Sequence, residues 1–213
     1  MPVLVLAEHD AYKLADSTLH TVMAACHISM YCDGQIHVLV VGHQMQAVQE
    51  QAARISGVSR VLVANAAHLA SDMAEKVAAQ VVAMAAPEPY SHILLAASMH
   101  GKSIARGLGG RLRVRPLGDI RRVISSNAFE CTALEGDAKD KVVGSNVPQV
   151  LTVCTSAFEA AGREGGIGSI ESVQAVPAVA PWKEATAWHF SECVSRKLAY
   201  MRTTTAIWPR FAT

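Results

Sequence analysis

The chain opens on a continuous apolar run, Val3 to Ala7, with no polar residue to face solvent. A strand of that kind is covered on both faces. Leu19, Val22, Met23 and Cys26 then recur at helical spacing, with Ser17 or Thr18 placed to cap the helix start. Gln35 to Val41 reads as a second strand, stopped by Gly42. Val48, Ala52 and Ile55 form the next helical stripe, which Gly57 ends. Val61 to Ala64 is a third strand, and Ser71 precedes a helix with the inner stripe Met73, Val77, Val81 and Met84. Pro87 and Pro89 stop that helix. His92 to Ala96 is a fourth strand and Ser103 to Leu112 a fourth helix. Strands that alternate with helices in this way predict an α/β fold, a mostly parallel sheet flanked by helices on both faces.

Beyond Pro116 the pattern changes. Leu117 to Ile124, Lys141 to Val143 and Val150 to Thr155 read as strands separated by turn residues, without helices of comparable quality. They predict a small additional antiparallel sheet beside the main one. Glu164 to Ser169, rich in glycine, reads as a flexible segment and the start of a linker. From Pro177 the composition shifts: Trp182, Trp188 and Trp208, with Phe190 and Phe211, lie in a stretch of no clear period. That stretch carries five basic and two acidic residues, net +3, which leaves −2 for the rest of a chain of net charge +1. The expected organisation is a domain over residues 1–175 and a divergent tail, remnant or unstructured, over 176–213.

Composition narrows the classes. A chain of 213 residues, 51% apolar, can bury one substantial core. A net charge near zero argues against nucleic acid as the main partner. The five cysteines (Cys26, Cys32, Cys131, Cys154, Cys193) are odd in number and scattered, which fits a reducing compartment better than a disulfide framework. Cys26, His27 and Cys32 lack a fourth ligand at zinc spacing, so no metal site is expected. No apolar run reaches the length of a membrane span, and the start has no basic or Arg- and Ser-rich leader. A bacterial cytoplasmic location is expected, or the mitochondrial matrix if a leader was removed.

Three constellations invite chemistry. Gly101-Lys102-Ser103 opens a helix after a strand, as a phosphate loop does, but Ala96 stands where that loop needs its first glycine. The other reading is a tight strand-to-helix turn in which Ser98 or Ser103 satisfies free amides. Arg106, Arg111, Arg113, Arg115, Arg121 and Arg122 cluster with only Asp119 opposing, either as a docking surface for an acidic partner or nucleotide phosphate, or as a solvated face. Among nine histidines, His9, His43, His68 and His100 follow predicted strands, on the edge where open α/β sheets bind ligands. His100 is the best single candidate for chemistry. No nucleophile elbow or divided pair of carboxylates accompanies them, so no catalytic residue is assigned.

Several stretches together resemble one family. Val3 to His9, Ile36 to Gly42, Ala53 to Ala64, Tyr90 to Leu94 with Gly101-Lys102-Ser103, Pro116-Leu117-Gly118-Asp119, and Val150 to Val153 with Ala157-Phe158 occur in order over about residues 1 to 175. They are similar to the N-terminal domain of the electron transfer flavoprotein alpha subunit. The resemblance implies a Rossmann-like sheet of the adenine nucleotide alpha hydrolase type with a smaller sheet attached. It implies a heterodimer with the electron transfer flavoprotein beta subunit and one FAD. It also implies electron transfer from acyl-CoA dehydrogenases, in fatty-acid and amino-acid oxidation, to a membrane-bound quinone oxidoreductase. Departures are Arg106-Gly107 for the family's Pro-Arg, Leu134 to Asp137 for its Tyr-Ala-Gly-Asn-like turn, and Cys154 for an arginine. The family's Ser-Gly-Gly-Arg-Gly flavin turn has no counterpart after Pro177, so cofactor-binding residues stay unassigned. The expectation is a truncated or divergent alpha subunit, an electron carrier rather than an enzyme. The alternatives are a stand-alone nucleotide-binding α/β module or the inactive product of a decayed gene.

Overall fold

The computed structural model describes residues 1–10, 12–71, 73–132, 139–144 and 147–177, all within one compact unit. Four strand–helix units come first: β1 (Val3–Leu6), α1 (Asp16–Cys32), β2 (Ile36–Gly42), α2 (Gln46–Arg54), β3 (Val58–Asn65), α3 (Ala74–Ala85), β4 (His92–Ala96) and α4 (Met99–Leu112). Five strands follow: β5 (Leu117–Val123), β6 (Ala128–Thr132), β7 (Lys139–Val143), β8 (Gln149–Val153) and β9 (Ser169–Ser172). All nine join one sheet in the order β7-β6-β5-β8-β4-β1-β2-β3-β9. The pairs β5–β6 and β6–β7 are antiparallel, and the other six are parallel.

The central strands are apolar on both faces because helices cover both. Val3, Val5, Val38, Val40, Val61 and Leu94 face α1 and α2, where Leu19, Val22, Ile28, Val48 and Ala52 complete the layer. Leu4, Leu6, Leu39, Leu62, Ile93 and Leu95 face the other way, onto Val77 and Val81 of α3 and Ile104 and Leu108 of α4. Each of the valine, leucine and isoleucine side chains among these contributes about 1.5–3 kcal/mol of transfer free energy when fully buried.

The expected α/β fold with added antiparallel strands is what the structure shows, with local differences. The antiparallel strands continue the main sheet at one edge. Val150 to Val153, grouped with them by sequence, lies instead in parallel β8 between β4 and β5. Strand β6 went unread because it is short and follows Ser125-Ser126-Asn127, although Phe129 and Cys131 bury one face in period two. Helix α1 is not capped by Ser17 or Thr18: its N-cap is Ala15, and both hydroxyls bond Glu8 instead. Helix α3 likewise has Met73, half exposed, at its N-cap rather than Ser71.

The glycine-rich segment read as a linker is a correction. The amides of Gly166 and Gly168 donate to the carbonyls of Arg54 (2.8 Å) and Ala53 (3.0 Å), the last turn of α2. Those carbonyls have no partner within the helix, so the segment acts as its C-terminal cap. A Cβ on Gly166 would run into the Ile55 carbonyl oxygen. The segment then feeds β9, which pairs with β3 and is fastened by Arg60, whose guanidinium grips Glu171 at 3.0 and 2.5 Å and Glu88 at 3.2 Å. Past β9, the buried side-chain amide of Gln80 on α3 donates to the Gln174 carbonyl (3.1 Å) and accepts from the Val176 amide (2.8 Å). The sequence-based tail from 178 onward, the turn at 134–137 and Cys193 lie outside the described residues.

Two outcomes are expected. Gly166→Ala forces its methyl against backbone and should lower stability by on the order of 2 kcal/mol in urea unfolding, whereas Gly165→Ala, with open space at its Cβ but a positive φ, should cost less. His37 and His92 are buried, and desolvation pushes both below the ordinary histidine value of 6.5. The folded chain then binds fewer protons than the unfolded one just below that value, so stability falls as pH drops from about 6.5 toward the lowered native values. The slope is at most about 1.4 kcal/mol per pH unit for each histidine. Unfolding midpoints measured across that window should fall for the native chain and flatten in His37→Gln/His92→Gln.

Candidate functional site

In an open α/β sheet the ligand crevice opens at the carboxyl ends of the strands, where the connection direction reverses. Here that point lies between β1 and β4. The chain leaving β1 places Glu8 there, and the chain leaving β4 places Ser98 there. Ser98 Oγ donates to Glu8 Oε1, and Ser17 Oγ, in the first turn of α1, donates to Oε2 at 2.6 Å. The Glu8 amide donates to Thr18 Oγ1 (2.9 Å), whose hydroxyl returns a bond to the Glu8 carbonyl (3.2 Å). Ser98 also caps α4, its Oγ accepting from the Gly101 amide at 2.9 Å. The positive ends of α1 and α4 therefore meet on one carboxylate of the chain's own.

That arrangement settles the phosphate-loop question. Helix α4 starts at Met99, not Ser103, and the Gly101 amide is already satisfied by Ser98. Gly101 is required because a Cβ there would strike the Ala96 carbonyl oxygen. The place of an anionic ligand is taken by Glu8, so the turn gives no support to a nucleotide-binding module. A flavin dinucleotide fits no better: its pyrophosphate would face a carboxylate and a capped amide.

The candidate histidines are spread along the same edge. His9 Nε2 lies 3.1 Å from the Val41 carbonyl, and His68 Nε2 lies 2.8 Å from the Val176 carbonyl. Both contacts fasten main chain. His43 follows β2, with Nδ1 buried and lacking a hydrogen-bond partner among the described residues. His100 sits in the first turn of α4. These histidines follow four different strands, His9 after β1, His43 after β2, His68 after β3 and His100 after β4. Cys26, Cys32 and Cys154 are free thiols, and burial pushes the Cys26 thiol pKa up. Among the described residues no three potential metal ligands converge.

What the structure does bring together is Lys102 and Asp119, two residues that sequence reasoning treated in separate motifs. Lys102 Nζ donates to Asp119 Oδ2 at 2.8 Å. Asp119 stands in a bulge of β5, between the register pairs Leu117–Leu151 and Ile120–Val153, with φ of 50°. A left-handed aspartate needs outside support. Thr152 of β8 gives it, accepting from the Asp119 amide at 2.9 Å and facing Oδ1 at 3.4 Å. Beside this pair a cleft of about 360 Å³ opens between Lys102, Ala105 and Arg106 on one side and Pro116, Leu117 and Thr152 on the other. Sequence reasoning missed Glu8 and Thr152 as organising residues. The one available signal was position: Glu8 is the first charged residue after β1.

Comparison with known proteins follows the same span. The electron transfer flavoprotein domain matches residues 3–178. The electron transfer flavoprotein subunit alpha of Pseudomonas aeruginosa is 39% identical over 173 residues, 81% of this chain and 54% of that protein. The probable mitochondrial electron transfer flavoprotein subunit alpha of Caenorhabditis elegans is 34% identical over 169 residues, covering 79% and 49%. The subunit alpha of Paracoccus denitrificans is 32% identical over 185 residues, covering 85% and 58%. The chain spans about half the length of the curated relatives it matches. With the match running from β1 through β9, and the Lys102–Asp119 pair joining two of its shared stretches, the chain belongs to the electron transfer flavoprotein domain family.

Proposed function

We propose that residues 1–175 serve as the N-terminal domain of an electron transfer flavoprotein alpha subunit, docking with a beta subunit and acting as an electron carrier's scaffold rather than as an enzyme. The observation that carries this reading is the match of residues 3–178 to the electron transfer flavoprotein domain, together with 39% identity over 173 residues to a protein named as that subunit. The assembly's redox chemistry would come from FAD, which accepts and passes on electrons wherever it is held. The described residues contribute no site for it, since Glu8 fills the ligand edge. In this reading the donors are acyl-CoA dehydrogenases and the acceptor a quinone oxidoreductase. The setting is the bacterial cytoplasm, or the mitochondrial matrix where a leader has been removed; relatives include both bacterial and mitochondrial proteins. Among the described residues no helix is long and apolar enough to cross a membrane.

The test is co-expression with the beta subunit of the same source, followed by purification and an absorbance scan. The chain alone should be colourless, and it should copurify with the beta subunit. A stoichiometric flavin spectrum from the single chain would overturn the account of the ligand edge. Absence of any complex with the beta subunit would overturn the docking role.

A further inference from the structure

Charge is unevenly distributed over the domain. From Met99 to Asp119 the chain carries Lys102, Arg106, Arg111, Arg113 and Arg115 against one carboxylate, Asp119, net +4. The remainder of residues 1–177 has nine basic and fifteen acidic residues, net −6. The local carboxylate is already engaged, since Asp119 binds Lys102 at 2.8 Å. Arg111 reaches Glu75 of α3 only at 3.6 Å. Arg106, Arg113 and Arg115 are exposed and meet no carboxylate among the described residues.

Lys102 and Arg106, four residues apart, lie on one face of α4, and Arg113, its left-handed C-cap, and Arg115 follow directly at the helix end. At about 1.5 Å per residue, Arg106 and Arg113 stand roughly 10 Å apart along the axis. That separation exceeds what a single phosphate bridges. Next to the strip lies the cleft whose floor is Ala105, Pro116 and Leu117. Guanidinium groups without a carboxylate partner among the described residues, beside a small apolar recess, fit a polypeptide with carboxylates and one apolar anchor. Nucleic acid is a poorer fit, because no phenylalanine, tyrosine or tryptophan lies between Met99 and Asp119 for a base to stack on.

We propose that the exposed face of α4, with the Pro116–Leu117 cleft beside it, is the docking surface for an acidic protein face. This rests on the reading of the chain as one member of a heteromeric assembly. Charges on such a rim act mainly by steering association and setting its salt dependence.

The experiment measures binding of the full chain to the beta subunit of the same source, and separately to an oligo-glutamate peptide carrying one leucine, at low and at high salt. The variant Arg106→Glu/Arg113→Glu/Arg115→Glu should keep the native unfolding midpoint, because the three side chains are exposed and meet no carboxylate among the described residues. It should lose affinity for the beta subunit by roughly tenfold or more at low salt, with a flattened salt dependence. The triple lysine variant should retain both. Unchanged affinity and salt slope in the glutamate variant would overturn this surface while leaving the docking role intact. If the beta subunit does not bind the native chain at all, the docking role fails, and the peptide decides: amide shifts at Arg106, Leu117 and Thr152 uphold the surface, and their absence overturns it.

Discussion

The rest of the structure depends on β1 being threaded between β2 and β4. A four-residue strand held on both edges by parallel neighbours can satisfy its backbone only through those neighbours. Its side chains are buried in alternation against two helical layers. The same threading reverses the direction of the connections and creates the edge crevice. In many α/β proteins that crevice belongs to a ligand. Here the first charged residue after β1 closes it, and two helix starts that could have held a foreign anion hold Glu8. The fold's usual place for chemistry has become a fastening.

The opposite edge of the sheet is fastened as well. His37 of β2 stacks edge-on with Tyr90 at 5.7 Å between ring centres, and its Nδ1 lies 3.2 Å from the Tyr90 hydroxyl and 3.8 Å from Glu88. Burial, and then the Glu88 charge, push the Tyr90 hydroxyl above its usual range, so it stays neutral. Arg60 ties this group to Glu171 of β9. Most of the polar groups named at both strand ends are thus engaged in structure, with His37 Nε2 and His43 Nδ1 as buried exceptions among the described residues, which agrees with a domain proposed to work by positioning.

How far the sequence spoke depended on where each residue's partner lies. β1, β2 and β4 were legible because burial on both faces writes itself into consecutive apolar residues. The helices were legible from their stripes, though the start of α4 was not, since Ser98 caps four residues before the glycine-lysine pair suggests. β9 was illegible: Ser-Ile-Glu-Ser is polar, and its pairing is supplied by β3 and Arg60 rather than by its own pattern. The parallel sense of β8 was hidden for the same reason, because partner choice is non-local. At the site, Lys102 and Asp119 each stood out in sequence, but only the β5 bulge and Thr152 bring them into contact. Glu8 read as the end of a strand motif, and its role appears only when α1 and α4 converge on it.

Gln80 has a consequence beyond holding the last described residues. Its side-chain amide imitates one rung of a ladder, donating and accepting on alternate peptide groups just past β9. A pull on the chain beyond Pro177 would therefore meet the Gln80 rung first. It would next meet β9, lying parallel to β3 and loaded lengthwise. Bonds loaded in that direction share force rather than failing one at a time. A load applied at Pro177 would thus be shared between α3, through Gln80, and the sheet, through β9.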